Sequence, residues 1–344
     1  MNDTIRKLYT RPSALIAWGL VLIFVVVGVL FKAGLVSLNT ATIAMDLMVN
    51  IGLALSLAII MSYAGYVSFG HAVFYGLGGF LTGYIVYNAV QTAYAANPQN
   101  FNLTFGRALG WWLEGAVLGA LASAALAGTV GAAVLRLRGA FFAIATIGLD
   151  YAVLYLVKLY HNPLSGSADI PVTQLGAIEG FFYKTYVLVT VFFIVTVIVA
   201  YLARVSKFGY GLSAIREDED AAEVLGVDTT RYKIYAFILS AVLTSLWGSI
   251  TVWRQNSFGV DIMFSLRESV HMIAMNVIGG LGSFLGPTLG GMVYYALYRA
   301  TLTKLANSQF IVVGIIVILF ISLLPEGLVG LVKLVRPKLR KYID

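Results

Sequence analysis

Apolar residues fill long blocks of this chain, and polar residues gather between them. Residues 13–31 form a near-continuous apolar run, and residues 186–203 and 310–324 form two more. A helix needs about 20 predominantly apolar residues to cross a bilayer. The pattern predicts spans at residues 13–31, 36–60, 71–87, 111–135, 141–159, 181–203, 232–252 and 310–324. The stretch 269–300 is too long for one straight span, and the glycine-rich segment 279–287 (GGLGSFLGP) interrupts it, so two short or tilted helices fit better. The expected fold class is all-α: a polytopic transmembrane helical bundle with about ten crossings, forming one membrane domain over residues 1–344.

Two interrupted regions resemble each other. Residues 65–80 read GYVSFGHAVFYGLGGF and residues 280–292 read GLGSFLGPTLGGM, each with Ser-Phe among glycines and Gly-Gly following. Gly65, Gly70, Gly280, Gly282 and Pro287 are the expected helix breakers. Interrupted segments in corresponding halves are a sign of repeat-built transporters. The same glycines would equally serve as close-packing faces between helices.

Composition sharpens the picture. Hydrophobic residues make up 60% of the chain and charged residues 11%, against about 25% charged in a soluble domain. The net charge is +7, but the basic residues are scattered between spans, which argues against a nucleic-acid partner. They fit cytoplasmic loops: Arg6, Lys7 and Arg11; Arg136 and Arg138; Arg204, Lys207, Arg216, Arg231 and Lys233; and Lys333, Arg336, Lys338, Arg340 and Lys341. Segments 89–110 and 160–180 are poor in Lys and Arg and are expected outside, which puts both termini in the cytoplasm. The first apolar run is longer than a signal-peptide core and lacks a small-x-small cleavage site, so it reads as a retained helix. The absence of cysteine excludes disulfides, thiolate metal sites and cysteine nucleophiles.

The loop 204–231 carries a motif of a different kind, SAIREDEDAAEVLG at 213–226. Ser213 can cap a helix N-terminus and Gly226 can supply the left-handed residue that stops it. On one helix, Arg216, Glu219, Asp220 and Glu223 would share a face, with Ala214, Ile215, Ala221, Ala222 and Leu225 mostly opposite. Asp228 offers a second cap for the following span. Such a helix is either a solvated surface element or a docking helix for a cytoplasmic partner.

Asp220-Ala221-Ala222-x-x-x-Gly226 resembles the Glu-Ala-Ala loop of bacterial ABC importer permeases, with Asp in place of Glu and no Ile-x-Leu-Pro after the glycine. Further blocks occur in order: GYVSFGHA at 65–72, RLRGAFFAIAT at 136–146, AIREDEDAA at 214–222, GGLGS at 279–283 and LPEGL at 324–328. Together they resemble the LivM-type permease subunit of branched-chain amino-acid ABC transporters. Segment 165–171 (SGSADIP) departs from the glycine-rich Thr-Gly-Gly-like pattern of that family, and urea and short-amide permeases share the architecture. The resemblance implies a permease in the bacterial inner membrane that imports a small polar solute, foremost branched-chain or other hydrophobic amino acids. It implies as partners a homologous second permease, two cytoplasmic ATPase subunits and a periplasmic substrate-binding protein. It also implies an ATPase-coupling element comprising Ser213, Ile215, Arg216, Glu217, Glu219, Asp220, Ala221, Ala222, Glu223 and Gly226. No Gly-x-x-x-x-Gly-Lys-Ser/Thr phosphate loop is present, so no cofactor is expected on this chain and ATP belongs on the partner subunits.

Ionisable and amide side chains inside spans are functional candidates. Asp46, His71, Asp150 and Asn276 are expected to face the protein interior, as structural groups, pathway-lining groups or a proton relay. The pairs Trp111-Trp112 and Tyr183/Tyr186 read as interfacial anchors. An ion-coupled secondary transporter, with Asp46 or Asp150 as the coupling carboxylate, stays open as an alternative. A membrane enzyme finds no support: the three histidines, His71, His161 and His271, form no His-Glu-x-x-His, and no metal site is expected.

Overall fold

The computed structural model describes residues 12–96, 103–165, 169–171, 175–176, 178–255, 257–304, 309–324 and 326–335. Arg6, Lys7, Arg11, Pro325, Arg336, Lys338, Arg340 and Lys341 lie outside the described residues, as do parts of the two expected outer loops. The helices are α1 (Pro12–Lys32), α2 (Leu38–Ala58), α3 (His71–Ala96), α4 (Phe105–Val134), α5 (Ala140–Ser165), α6 (Phe181–Val205), α7 (Lys207–Glu217), α8 (Glu219–Val224), α9 (Thr229–Gln255), α10 (Val260–Met263), α11 (Leu266–Gly279), α12 (Leu285–Lys304), α13 (Gln309–Leu323) and α14 (Gly327–Val335). Two short strands, β1 (Asp169–Pro171) and β2 (Ser257–Gly259), pair antiparallel.

The fold is a polytopic transmembrane helical bundle. Among the described residues, seven helices are long and apolar enough to cross a bilayer: α1, α2, α3, α4, α5, α6 and α9. Every other backbone group at membrane depth must find a partner within the protein, which a helix supplies locally. The stretch 269–300 divides into α11 and α12 as expected, with the break at 280–284. The expected loop 89–110 is largely helical, because α3 continues to Ala96 and α4 already begins at Phe105.

The membrane domain read from the sequence is built from two compact units, each discontinuous in the chain. One comprises Met1–Val67, Thr190–Ala236 and Val270–Asp344, the other Ser68–Val189 and Phe237–Ser269. In the second unit, glycines let α3, α4 and α9 approach at backbone distance. A Cβ placed on Gly78 would overlap the Ser245 carbonyl, and one on Gly248 the Tyr75 carbonyl. Trp112 is buried there, its Nε1 donating to the Ser249 carbonyl at 3.0 Å. Tyr186 is buried as well. These two are core residues rather than interfacial anchors: at an internal turn of a long helix the packing face claims the aromatic ring. In the first unit α2 packs on α12, with Gly291 against the Ile51 backbone.

Candidate functional site

Segment 206–228 folds as two short helices, not the single helix expected over 213–226. Ser206 caps α7, its side chain accepting from the Gly209 N–H at 3.5 Å. Asp218 then leaves helical geometry (φ −158°, ψ 111°) and caps α8, Oδ1 accepting from the Ala221 N–H at 2.9 Å. The acidic run explains the division: Asp218, Glu219 and Asp220 are unfavourable at the C-terminus of one helix and favourable at the N-terminus of the next. At the far end Gly226 adopts φ +87°. The Gly226 N–H donates to Glu223 O at 2.9 Å and the Val227 N–H to Ala222 O at 3.0 Å, the bond pair of a Schellman stop. Asp228 caps α9 as expected, through the Arg231 N–H at 3.1 Å.

Ser213 is therefore not a cap. It lies within α7, donating to Gly209 O at 3.0 Å and accepting from Arg204 Nη1 at 3.1 Å. The expected four-residue charged face does not form either, because Arg216 is on α7 and its supposed neighbours are on α8. Glu219 turns inward: Oε1 accepts from Lys233 Nζ at 2.6 Å and Oε2 from the Tyr66 hydroxyl. Only 4% of the Lys233 side chain and 13% of the Glu219 side chain are exposed. Ile215 and Ala222 are buried, whereas Asp220, Ala221 and Glu223 are exposed. Leu225, expected on the covered face, is 82% exposed beside Val224 at 88%. So α8 is rooted by a buried ion pair and presents an apolar tip.

Arg216 and Arg204 link these helices to both glycine breaks. Gly65 (φ +83°) and Gly282 (φ +85°) hold the left-handed conformation that other residues rarely adopt. A Cβ on Gly65 would lie 3.0 Å from Arg216 Cγ, and one on Gly282 would overlap Arg216 Nη1. The guanidinium thus passes closely by both breaks. Arg216 Nη1 donates to Ser62 O at 3.3 Å, and the Gly282 N–H donates to Ser62 Oγ at 2.8 Å. Arg204 Nε donates to Gly282 O at 3.2 Å while its guanidinium lies over the Tyr63 ring. Arg216 also pairs with the exposed Glu217, holding that carboxyl below the usual carboxylate range.

The remaining expected breakers act differently. Gly280 (φ +105°) packs on Glu326 O. Gly70 admits a close approach to the Thr146 carbonyl, where a Cβ would sit 2.7 Å away. Pro287 lies in the first turn of α12, where proline is tolerated, and is not part of the break.

Of the four interior polar residues, Asp46 and Asn276 belong to the first unit, His71 and Asp150 to the second. Asp46 Oδ2 accepts from the Tyr295 hydroxyl at 3.3 Å, and Arg299 donates to that hydroxyl at 3.1 Å. Asn276 Nδ2 donates to Ala54 O at 3.0 Å and Met272 O at 2.9 Å. It thereby ties α11 to α2 just before α2 ends. His71 Nε2 shares a 2.7 Å hydrogen bond with Ser240 Oγ, and its ring sits edge-on to Phe74 and Phe237. Asp150 is buried, and neither carboxyl oxygen has a hydrogen-bond partner among the described residues. No group of three His, Cys, Asp or Glu suited to a metal occurs among the described residues.

Sequence reading missed Ser62, Tyr66 and the pairing roles of Arg204 and Lys233. The available signal was the presence of Lys233 at the start of an otherwise apolar span.

Comparison with known proteins identifies the family. The chain is 26% identical over 334 residues to the high-affinity branched-chain amino acid transport system permease protein LivM of Salmonella typhimurium, covering 89% of this chain and 73% of that protein. LivM of Escherichia coli gives the same identity and coverage. A probable branched-chain amino acid transport permease protein LivH of Methanocaldococcus jannaschii is 25% identical over 54% of this chain and 63% of its own length. No solved structure matches. Residues 39–323 match the family described as the branched-chain amino acid transport system / permease component, and the chain belongs to that family of membrane permeases.

Proposed function

We propose that this chain is one of two homologous permease subunits of an ATP-driven importer in the bacterial inner membrane, with both termini cytoplasmic. Its substrates are branched-chain or other hydrophobic amino acids, delivered by a periplasmic binding protein. Two cytoplasmic ATPase subunits bind the ATP, and one of them receives α8. The observation that carries the reading is the connection from α8 to the two helix breaks. Val224 and Leu225 are exposed apolar side chains on a helix whose other side is fixed by Glu219 and Lys233. Arg216 and Arg204 then join α7 to Ser62 and Gly282. A displacement of α8 by an ATPase is delivered to backbone that glycine leaves able to turn.

The test is reconstitution. This chain, co-produced with a second permease, ATPases and a leucine-binding protein, should import labelled leucine into proteoliposomes at the expense of ATP. Val224→Asp combined with Leu225→Asp changes solvent-facing positions only, so the chain should still insert while the ATPases no longer co-purify. Retention of the ATPases by that variant would remove the docking role of α8. The buried carboxyl of Asp150, without a hydrogen-bond partner among the described residues, favours a second reading, ion-coupled transport. That reading requires leucine uptake by this chain alone under a proton or sodium gradient, abolished by Asp150→Asn.

A further inference from the structure

Resting on the importer reading, we propose that the helix interruption at Phe264–Ser265, with the adjoining pair Arg267 and Glu268, is a pathway position that recognises a small zwitterion: the carboxylate and ammonium groups of the transported amino acid. None of the sequence-derived pathway candidates lies in this segment.

The depth of this segment comes from its neighbours. After β2 the chain turns back along α3. Met263 contacts Gly79, the Phe264 ring contacts Gly76, and the Ala72 N–H donates to Ser269 Oγ at 2.7 Å. The same stretch of α3 is registered on α9 by His71 with Ser240 at 2.7 Å and Thr82 with Ser249 at 2.9 Å. Gly76 lies between Tyr75, which packs on Gly248, and Gly78, which packs on Ser245, roughly 10 Å or more from either end of α9 at 1.5 Å per residue. In a helix that crosses a hydrocarbon layer about 30 Å thick, that is within the layer.

At this depth helix stops and restarts. The Phe264 N–H closes α10 on Val260 O at 3.0 Å, and the Glu268 N–H opens α11 on Ser265 O at 2.9 Å. Irregular backbone at membrane depth is tolerated only inside protein or beside a water-filled cavity. Two charges occupy the first turn of α11. The Arg267 side chain is 38% exposed and that of Glu268 17%, with Arg267 Nη2 3.3 Å from Glu268 Oε1. A charged side chain within the layer almost always faces the bundle interior or a water-filled cavity rather than lipid, and on that rule Arg267 faces a polar space. The buried Tyr75 side chain lies within electrostatic range of Glu268, Arg254 and Arg267 and is hydrogen-bonded to the Thr251 side chain.

The chemistry of the cluster selects a class of ligand. A guanidinium is a geometric match for a carboxylate, and the N-terminus of α11 adds partial positive charge beside it. A carboxylate one residue away complements an ammonium. The apolar Met263 and Phe264, both buried, adjoin the pair on the α3 side. A hydrophobic zwitterion satisfies all three features, whereas an uncharged amide satisfies neither charge.

The experiment uses the assembled complex in proteoliposomes. Wild-type leucine uptake is measured first, and its absence would sink the importer reading independently of this proposal. Given uptake, Arg267→Gln should lower it about tenfold or more, the loss expected when a hydrogen bond to a charged group is removed. Arg267→Lys, which keeps the charge but not the planar fork, should recover part of the uptake. The chain has no cysteine, so Ser265→Cys gives one reporter. A membrane-impermeant, charged methanethiosulfonate should label it, and leucine-loaded binding protein with ATP should slow the labelling. Wild-type uptake by Arg267→Gln overturns the proposal. If that variant fails to assemble, the reporter decides: an unlabelled cysteine, or labelling indifferent to leucine, overturns it equally.

Discussion

Replacing Lys233 by Met isolates the rooting of α8. The Lys233 ammonium contacts Glu219 Oε1 at 2.6 Å and the Tyr66 hydroxyl at 3.1 Å, with 4% of its side chain exposed. Methionine keeps the length of the stem and removes the charge. Glu219, itself nearly buried, then keeps a carboxylate that has lost its cation. Removing one member of a buried pair costs roughly 3–5 kcal/mol. The cost falls on α8, because a helix of six residues has no stability of its own. It appears as local opening rather than global unfolding. At about 1.4 kcal/mol per factor of ten, 3 kcal/mol raises the open population about a hundredfold. Hydrogen exchange in the assembled complex reads this directly. Amides of 221–227 should exchange about a hundredfold faster, those in the middle of α9 at the same rate, and leucine-stimulated ATP hydrolysis should fall. Glu219→Leu with Lys233→Met should recover much of the protection, since an apolar pair replaces a buried ion pair at little or no cost. Unchanged exchange in the single variant would refute the anchoring argument.

Three further outcomes follow from the same geometry. Glu219→Lys sets a second cation against Lys233 and should abolish protection of α8, whereas Asp220→Lys, on the exposed face, should leave protection intact and weaken ATPase co-purification only. Gly282→Ala meets a left-handed φ, costing about 1–2 kcal/mol, and also displaces the Arg216 guanidinium. The complex should assemble, but leucine uptake per ATP hydrolysed should drop. Asn276→Leu removes the side-chain donor to the helical Ala54 and Met272 carbonyls, and about 1 kcal/mol should be lost per hydrogen bond. A lowered thermal midpoint with an unchanged KM for leucine-loaded binding protein marks the amide as structural; a changed KM marks it as pathway-lining.

Membrane crossing is a local requirement, so it was legible in the chain. Each apolar run satisfies its own backbone as a helix, and α1, α2, α6 and α9 fall close to the expected spans. Caps are local too: Gly226 and Asp228 act where the sequence placed them. Ser213 shows the limit, since the alternative cap at Asp218 has nearby acids that favour starting a helix there. Periodicity on an assumed single helix then misplaced Glu219, which points inward to Lys233 and Tyr66 rather than out to solvent.

Sequence alone determined that this chain is a many-helix membrane protein with a short charged insertion and two glycine breaks, because run length, capping and glycine content act within a few residues. Only the tertiary structure decided which of those parts meet. Ser62, Arg216 and Gly282 meet at one point although the chain separates them widely, and no local pattern encodes a contact between a guanidinium and two distant glycines. Arg267 and Glu268 fall between the expected stretches 232–252 and 269–300, and only the return of 260–269 along α3 carries them into the packed bundle. Depth belongs to the packed bundle, not to the segment, and at that depth a charge must have a cavity or a partner.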